Sequence, residues 1–165
     1  MAPVIRPAAP GDLPRLLEIY NDEVLHGAAT FDLEPKTLAE RQVWFDAHNV
    51  DHHPLYVSEE AGVVTGYVSL SPYREKAAFD PTVELSIYID RAWRGKGVAT
   101  ALMAHALAEA RRDARTHHVI SVITAGNEAS IRLHERFGFV PCGTLPEVGY
   151  KFGRYWDVVH YCLIV

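Results

Sequence analysis

The residues of this 165-residue chain with the clearest chemistry run from Ile87 to Thr100, Ile87-Tyr88-Ile89-Asp90-Arg91-Ala92-Trp93-Arg94-Gly95-Lys96-Gly97-Val98-Ala99-Thr100. They read as a strand entering a glycine-rich turn and then a long helix. Glycines let successive backbone N–H groups converge, and a helix N-terminus adds partial positive charge, so this corner can hold a pyrophosphate. Two other phosphate loops do not fit. Lys96 sits between the glycines, unlike the lysine of G-x-x-x-x-G-K-S/T, and Thr100 takes the third-glycine position of G-x-G-x-x-G. A plain loop and helix start is the competing reading of Gly-x-Gly alone. Further along the candidate list, Arg74 and Lys76 stand at i and i+2 in an irregular loop, where two cations can converge on a carboxylate or phosphinate or simply be solvated. The nine histidines include His52-His53 and His117-His118. Adjacent imidazoles on a strand point to opposite faces, and no zinc spacing occurs, so no metal is expected.

These groups must be positioned by regular elements. Pro3 to Arg6 is a short strand. Leu13, Leu16, Leu17, Tyr20 and Val24 recur at helical spacing, which predicts an amphipathic helix from Asp12 to about Leu25. Thr37 and Glu40 form a capping box ahead of a second helix that ends near His48. Leu55 to Ser58 and Val63 to Ser71 read as a hairpin, and Pro72 to Pro81 as a polar loop. Val83 to Ile89 alternates an aliphatic face with Glu84, Ser86 and Tyr88 on the other, the period of a half-buried strand. An Ala- and Leu-rich helix is expected from Val98 to about Ala114, a buried strand at Val119 to Thr124, and a helix capped by Asn127 and stopped by Gly138. Strands near Phe139 to Leu145 and Val158 to Ile164 complete an α/β (α+β) arrangement, a mixed sheet of about six to seven strands flanked by about four helices.

Composition narrows the function. With 48% hydrophobic and 22% charged residues and no repeat or linker, residues 1–165 read as a single domain large enough to hold its own core. A net charge of −5 argues against nucleic acid as the main partner. No apolar stretch approaches the roughly 20 residues that span a bilayer, so no membrane partner is expected. Cys142 and Cys162, far apart and without C-x-x-C spacing, fit a reducing compartment better than a stapled secreted domain, with the cytoplasm as default.

Two motifs carry a resemblance. Arg94, Gly97 and Ala99 match the pyrophosphate loop of the GNAT superfamily of acetyl-CoA-dependent N-acetyltransferases: Gln or Arg, two residues, Gly, one residue, Gly or Ala. Asn127-Glu128-Ala129-Ser130-Ile131-Arg132-Leu133-His134-Glu135-Arg136-Phe137-Gly138-Phe139 looks like that family's second CoA-contacting helix, at the expected distance downstream. Within the superfamily, the chain is most similar to phosphinothricin acetyltransferases and their relatives that acetylate methionine sulfoximine, methionine sulfone and some L-amino acids. The features are Ala29-Thr30-Phe31 with Trp44-Phe45, the loop Tyr73-Arg74-Glu75-Lys76-Ala77-Ala78-Phe79, the strand Val83 to Ile89, Leu133-His134-Glu135, and Gly149 to Arg154. Lys76, Phe79 and Tyr155-Trp156 depart from the commonest residues there, and the last pair bears on substrate preference.

The resemblance implies transfer of an acetyl group to the primary amine of a small amino-acid-like acceptor, directly within a ternary complex. It implies acetyl-CoA as co-substrate and a homodimer. An ammonium ion has no lone pair, so a base must take its proton. Glu84 is the candidate, with His134 as second base or relay; by residue type alone they read equally as a solvated strand carboxylate and a helix-face histidine. Backbone groups of Ile87, Tyr88 and Ile89 would pair with pantetheine, and an N–H near Ile89 would face the developing oxyanion. Gly95, Lys96, Gly97, Val98, Ala99 and Thr100 would wrap the pyrophosphate, Arg94 and Lys96 would add charge, and Asn127 and Ser130 would contact pantetheine. For the acceptor, Arg74 and Lys76 would grip the acid group. Phe31, Tyr73 and Phe79 would wall its aliphatic part, and Glu75, Glu84, Leu85 and Ser86 complete the set. A protein or peptide N-acetyltransferase and a non-catalytic CoA-binding sensor are the alternatives.

Overall fold

The computed structural model describes residues 2–165. Its centre is a seven-stranded sheet in the order β1-β2-β3-β4-β5-β7-β6. The strands are β1 Val4–Pro7, β2 Leu55–Glu60, β3 Val63–Pro72, β4 Thr82–Ile89, β5 His118–Thr124, β6 Val140–Lys151 and β7 Arg154–Ile164. All neighbours are antiparallel except β4 and β5. That parallel pair needs a crossover, which α3 (Val98–Arg112) supplies.

Helices α1 (Leu13–His26) and α2 (Leu38–Asp46) cover one face, burying Leu13, Leu16, Ile19 and Phe45 against Leu55, Val57 and Tyr67. The Thr37–Glu40 capping box forms as expected and starts α2. On the other face Leu102, Met103, Ala106 and Leu107 of α3 pack against Val68, Leu70, Val83 and Leu85, joined by Leu133 of α4 (Glu128–Arg136). The alternation read for β4 is therefore two-sided: Val83 and Leu85 serve the α3 core, while Tyr88 packs edge-on against Tyr20 of α1 at 5.4 Å.

Three expectations change. The last two strands are longer than predicted and meet at a tight turn through Phe152 (φ 55°) and Gly153 (φ 72°). Positive φ at both central residues suits the twist of a hairpin, but Phe-Gly is not a usual signal for it. Edge strand β6 is exposed along most of its length, so no buried alternation marks its extent. The loop Pro72 to Pro81 holds a short 3-10 turn, Ala77–Phe79. Most plainly, Cys142 and Cys162 do not remain as two thiols but form a disulfide, Cα–Cα 6.2 Å. Their separation along the chain conceals that β6 returns against β7 with Val140 opposite Cys162, which leaves Cys142 near it as the unpaired residue of a bulge between Pro141 and Gly143.

The bridge closes a loop of 20 residues, for which loss of unfolded-chain entropy predicts about 3 kcal/mol of stability. Non-reducing peptide mapping should recover the cross-link, and reduction should lower the urea midpoint accordingly. An unmoved midpoint would mean that strand pairing alone fixes this edge.

Candidate active site

Strands β4 and β5 pair only at Thr82–His118, Val83–Val119 and Glu84–Ile120. Beyond that point both continue without bonding each other, and the sheet opens into a wedge. In β4, the N–H of Asp90 bonds the Thr65 carbonyl of β3, so by antiparallel alternation the main-chain groups of Leu85, Ile87 and Ile89 point the other way, into the wedge. The Ser121 hydroxyl lies 3.5 Å from the Leu85 carbonyl at its apex. A cavity of about 930 Å³ fills the wedge, lined by β4, by β5 from Ser121 to Thr124, by the start of α3, by α4 along most of its length, and by Glu23 and Ala29.

At the cavity's far end the glycine turn has the shape its residues predict. Gly95 (φ 72°) and Gly97 (φ 83°) adopt left-handed backbone that other residues resist. Gly97 caps α3 without any side-chain hydrogen bond to the first turn, so the N–H groups of Val98, Ala99 and Thr100 are left to an outside acceptor. The Val98 side chain itself is buried in the α3 core, and only its main chain serves the cavity. Arg94 is held by Glu23, Nη2 to Oε2 3.0 Å, and donates to the Ile89 carbonyl. Lys96 lies over the Trp93 ring at 4.7 Å and does not line the cavity. Asn127 caps α4 by accepting from the Ser130 N–H, and both residues line the cavity.

His134 and Glu84 reach the apex from opposite faces. The His134 Nδ1–H donates to the Ser130 carbonyl at 2.7 Å, which directs the Nε2 lone pair at the Ser121 hydroxyl, 2.9 Å away. Burial holds its pKa below the ordinary histidine value. His134 lines the wedge and is joined there to Ser121, a residue the sequence reading missed. The available signal was one hydroxyl at an inward position between Val119 and Ile123. Glu84 is half-buried on the α1–α2 face of the sheet, and burial pushes its carboxyl up, with His160 opposing.

The acceptor residues divide. Tyr73 and Phe79 pack edge-on at 5.8 Å, with the Arg74 guanidinium over both rings. Arg74, Glu75 and Lys76 are exposed there, and none of this loop lines the wedge cavity. Leu85 turns its side chain into the α3 core, which leaves its main chain alone for contact, whereas Ser86 shares the Glu84 face. Phe31 lies against Gly149 of β6, where a Cβ would fall 2.6 Å from the ring. Its loop is tied down by Lys151, whose buried ammonium donates to the Thr30 carbonyl at 2.9 Å. Among the described residues, no cluster of His, Cys, Asp or Glu could hold a metal ion.

Residues 4–140 match the model of the acetyltransferase (GNAT) domain. The chain belongs to this family. It is 43% identical over 159 residues to the L-methionine sulfoximine/L-methionine sulfone acetyltransferase of Pseudomonas paraeruginosa, covering 96% of this chain and 92% of the relative. Among solved structures it resembles a phosphinothricin acetyltransferase of Sinorhizobium meliloti in complex with acetyl-CoA, with TM-score 0.94, 32% identity, and 100% and 89% of the two chains covered. A structure titled ribosomal-protein-alanine N-acetyltransferase, from Brucella melitensis, gives TM-score 0.94 at 41% identity over 98% and 99%.

Two outcomes follow from this GNAT site. Burial lowers the proton affinity of His48 and His134 in the folded chain, whereas in the unfolded chain they titrate near 6.5. Their contribution to stability is complete above that pH and is lost as pH falls below it, because the unfolded state binds the extra protons. Urea midpoints should therefore drop between pH 7.5 and pH 5.5, and less so in His134→Gln. Gly149→Ala should displace the Phe31 ring, which its Cβ would overlap, and shifted Phe31 ring resonances in ¹H–¹³C spectra would reveal this.

Proposed function

We propose that this protein transfers the acetyl group of acetyl-CoA to the primary amine of a small amino-acid-like acceptor such as methionine sulfoximine, methionine sulfone or phosphinothricin. One observation carries the reading: the β4–β5 wedge joins an uncapped helix N-terminus to an apex flanked by Glu84 and His134. The fit to acetyl-CoA rests on the free N–H groups of Val98, Ala99 and Thr100 for its pyrophosphate. The outward main-chain edge of Leu85, Ile87 and Ile89 suits an extended amide-bearing arm. When bound, acetyl-CoA supplies the activated acyl group.

Glu84 takes the proton of the acceptor ammonium, directly or through a water. Its carboxyl, raised by burial, is a better base than an exposed one. An N–H of the Ile87–Ile89 edge lies where it can donate to the carbonyl oxygen that gains charge. His134, kept neutral and coupled through Ser121, can pass a proton at the apex. Arg74 and Lys76 hold the acceptor's acid group, with Phe31, Tyr73 and Phe79 against its aliphatic part.

The same reading takes residues 1–165 as one domain working as a homodimer in the cytoplasm, where the Cys142–Cys162 pair is open to reduction. Leu145, Val148, Tyr150, Phe152 and Tyr155, exposed on the β6–β7 hairpin, support a partner subunit there. Acetylation of a protein N-terminus is a second reading, favoured by the name of the Brucella melitensis structure.

Thiol release from acetyl-CoA should be selective for the sulfoximine, the sulfone or phosphinothricin over free amino acids and an alanine-terminated peptide. Turnover of the peptide alone would favour the second reading, and silence with intact acetyl-CoA binding would leave a sensor. Glu84→Gln should reduce kcat at pH 7 by about 10²-fold or more with acetyl-CoA affinity retained.

A further inference from the structure

Across the sheet from the cofactor wedge, a buried histidine stands next to the base without touching it. His48 follows α2 and is 6% exposed. Its Nδ1 lies 2.7 Å from the Trp44 carbonyl and its Nε2 2.7 Å from the Ser71 hydroxyl. A carbonyl can only accept, so Nδ1 carries the hydrogen and Nε2 presents a lone pair. The Ser71 proton is therefore committed to His48, and the Ser71 oxygen can act toward any other neighbour only as an acceptor.

That neighbour is Glu84. Ser71 and Glu84 are directly opposite in the antiparallel β3–β4 ladder, so both side chains leave the sheet on the same face, their Cβ atoms about 5 Å apart. An ionised carboxylate gains nothing from an oxygen that cannot donate, but a protonated one can donate its new O–H to it. We propose that His48 is a positioning residue for acetyl transfer, which by holding the Ser71 proton turns the Ser71 oxygen toward Glu84 and stabilises the proton that Glu84 takes from the acceptor. No bond other than that N–H is broken: the proton moves from the ammonium to the Glu84 carboxylate and is then shared with Ser71 Oγ.

The surroundings keep the arrangement in one sense. His48 is packed under α2, whose Trp44 ring lies 4.8 Å away, and burial together with the positive Arg41 and the nearby His53 disfavours its charged form. A charged imidazole would donate from both nitrogens and release the Ser71 proton toward Glu84. Glu84 itself is faced by Ser71 from β3, by the apolar Ile120 from β5 and by His160 from β7. His160 favours the ionised carboxyl, so Ser71 is the neighbour that can favour the protonated one.

This inference rests on Glu84 being the base, and its test does not depend on turnover. In protein labelled with ¹³C at the glutamate carboxyl, the Glu84 signal is assigned by its loss in Glu84→Gln and followed through a pH titration. Ser71→Ala and His48→Phe should each lower the Glu84 pKa by about half to one pH unit, the size of one neutral hydrogen bond. His48→Gln, whose amide oxygen can accept the Ser71 proton, should restore it. With an active acceptor in hand, the acid limb of kcat/KM should move the same way, a change that mere loss of packing would not produce. An unmoved or raised Glu84 pKa in Ser71→Ala overturns the inference, as does a shift in His48→Gln equal to that in His48→Phe. If no acceptor is turned over while the titration shifts as stated, the catalytic reading fails and the hydrogen-bond relation stands.

Discussion

Two parallel strands that pair for three residues and then part create most of what this protein can do. A paired β4 and β5 would satisfy each other's N–H and C=O groups and leave no room between them. By diverging after Glu84 and Ile120, they expose a row of main-chain donors and acceptors to a cavity that runs from one face of the sheet to the other. Unpaired backbone inside a protein needs a partner, so the wedge is a site for a ligand with an extended amide backbone of its own. The same opening lets groups on opposite faces approach one apex.

Such an opening weakens the sheet, and the packing around it compensates. Val83 and Leu85 anchor β4 in the α3 core, while Tyr88 is held between Tyr20 and Tyr67 under α1. Polar ties brace the rim. Glu23, largely buried, accepts from the Ala29 N–H and from Arg94, which in turn donates to the Ile89 carbonyl. Arg15 pairs with Asp90 at the end of the strand, and Lys151 pins the loop of Phe31 to β6. Glu23 and Lys151 are buried charges, which cost desolvation unless they are satisfied, so their retention here is better understood as fixing geometry than as adding stability.

The two titratable groups at the apex are set apart by their environments. Glu84 is made more basic by burial, and burial also keeps His134 neutral, against the opposing pull of its bond to the Ser130 carbonyl. Neither effect needs a neighbouring like charge. Each group stands beside a serine: Ser121 lies 2.9 Å from His134, and Ser71 is opposite Glu84 in the β3–β4 ladder.

Local chemistry in the chain determined the helices, the turn geometry and the family. Glycines at positive φ, the Thr37–Glu40 box, the Asn127 cap and the alternation of β4 each act within a few residues, and each formed where its residues predict. Glu84 and His134 belong to such contiguous patterns, which is why the sequence offers them as candidates. What tertiary structure decided depends on strands distant in sequence. The separation of β4 from β5, the Ser121 link to His134, the burial of Lys151 and the pairing of Cys142 with Cys162 arise only when segments 13 to 121 residues apart are brought into register. No periodicity encodes a register. It follows from how two faces of one sheet are packed at once, and that is a property of the folded whole.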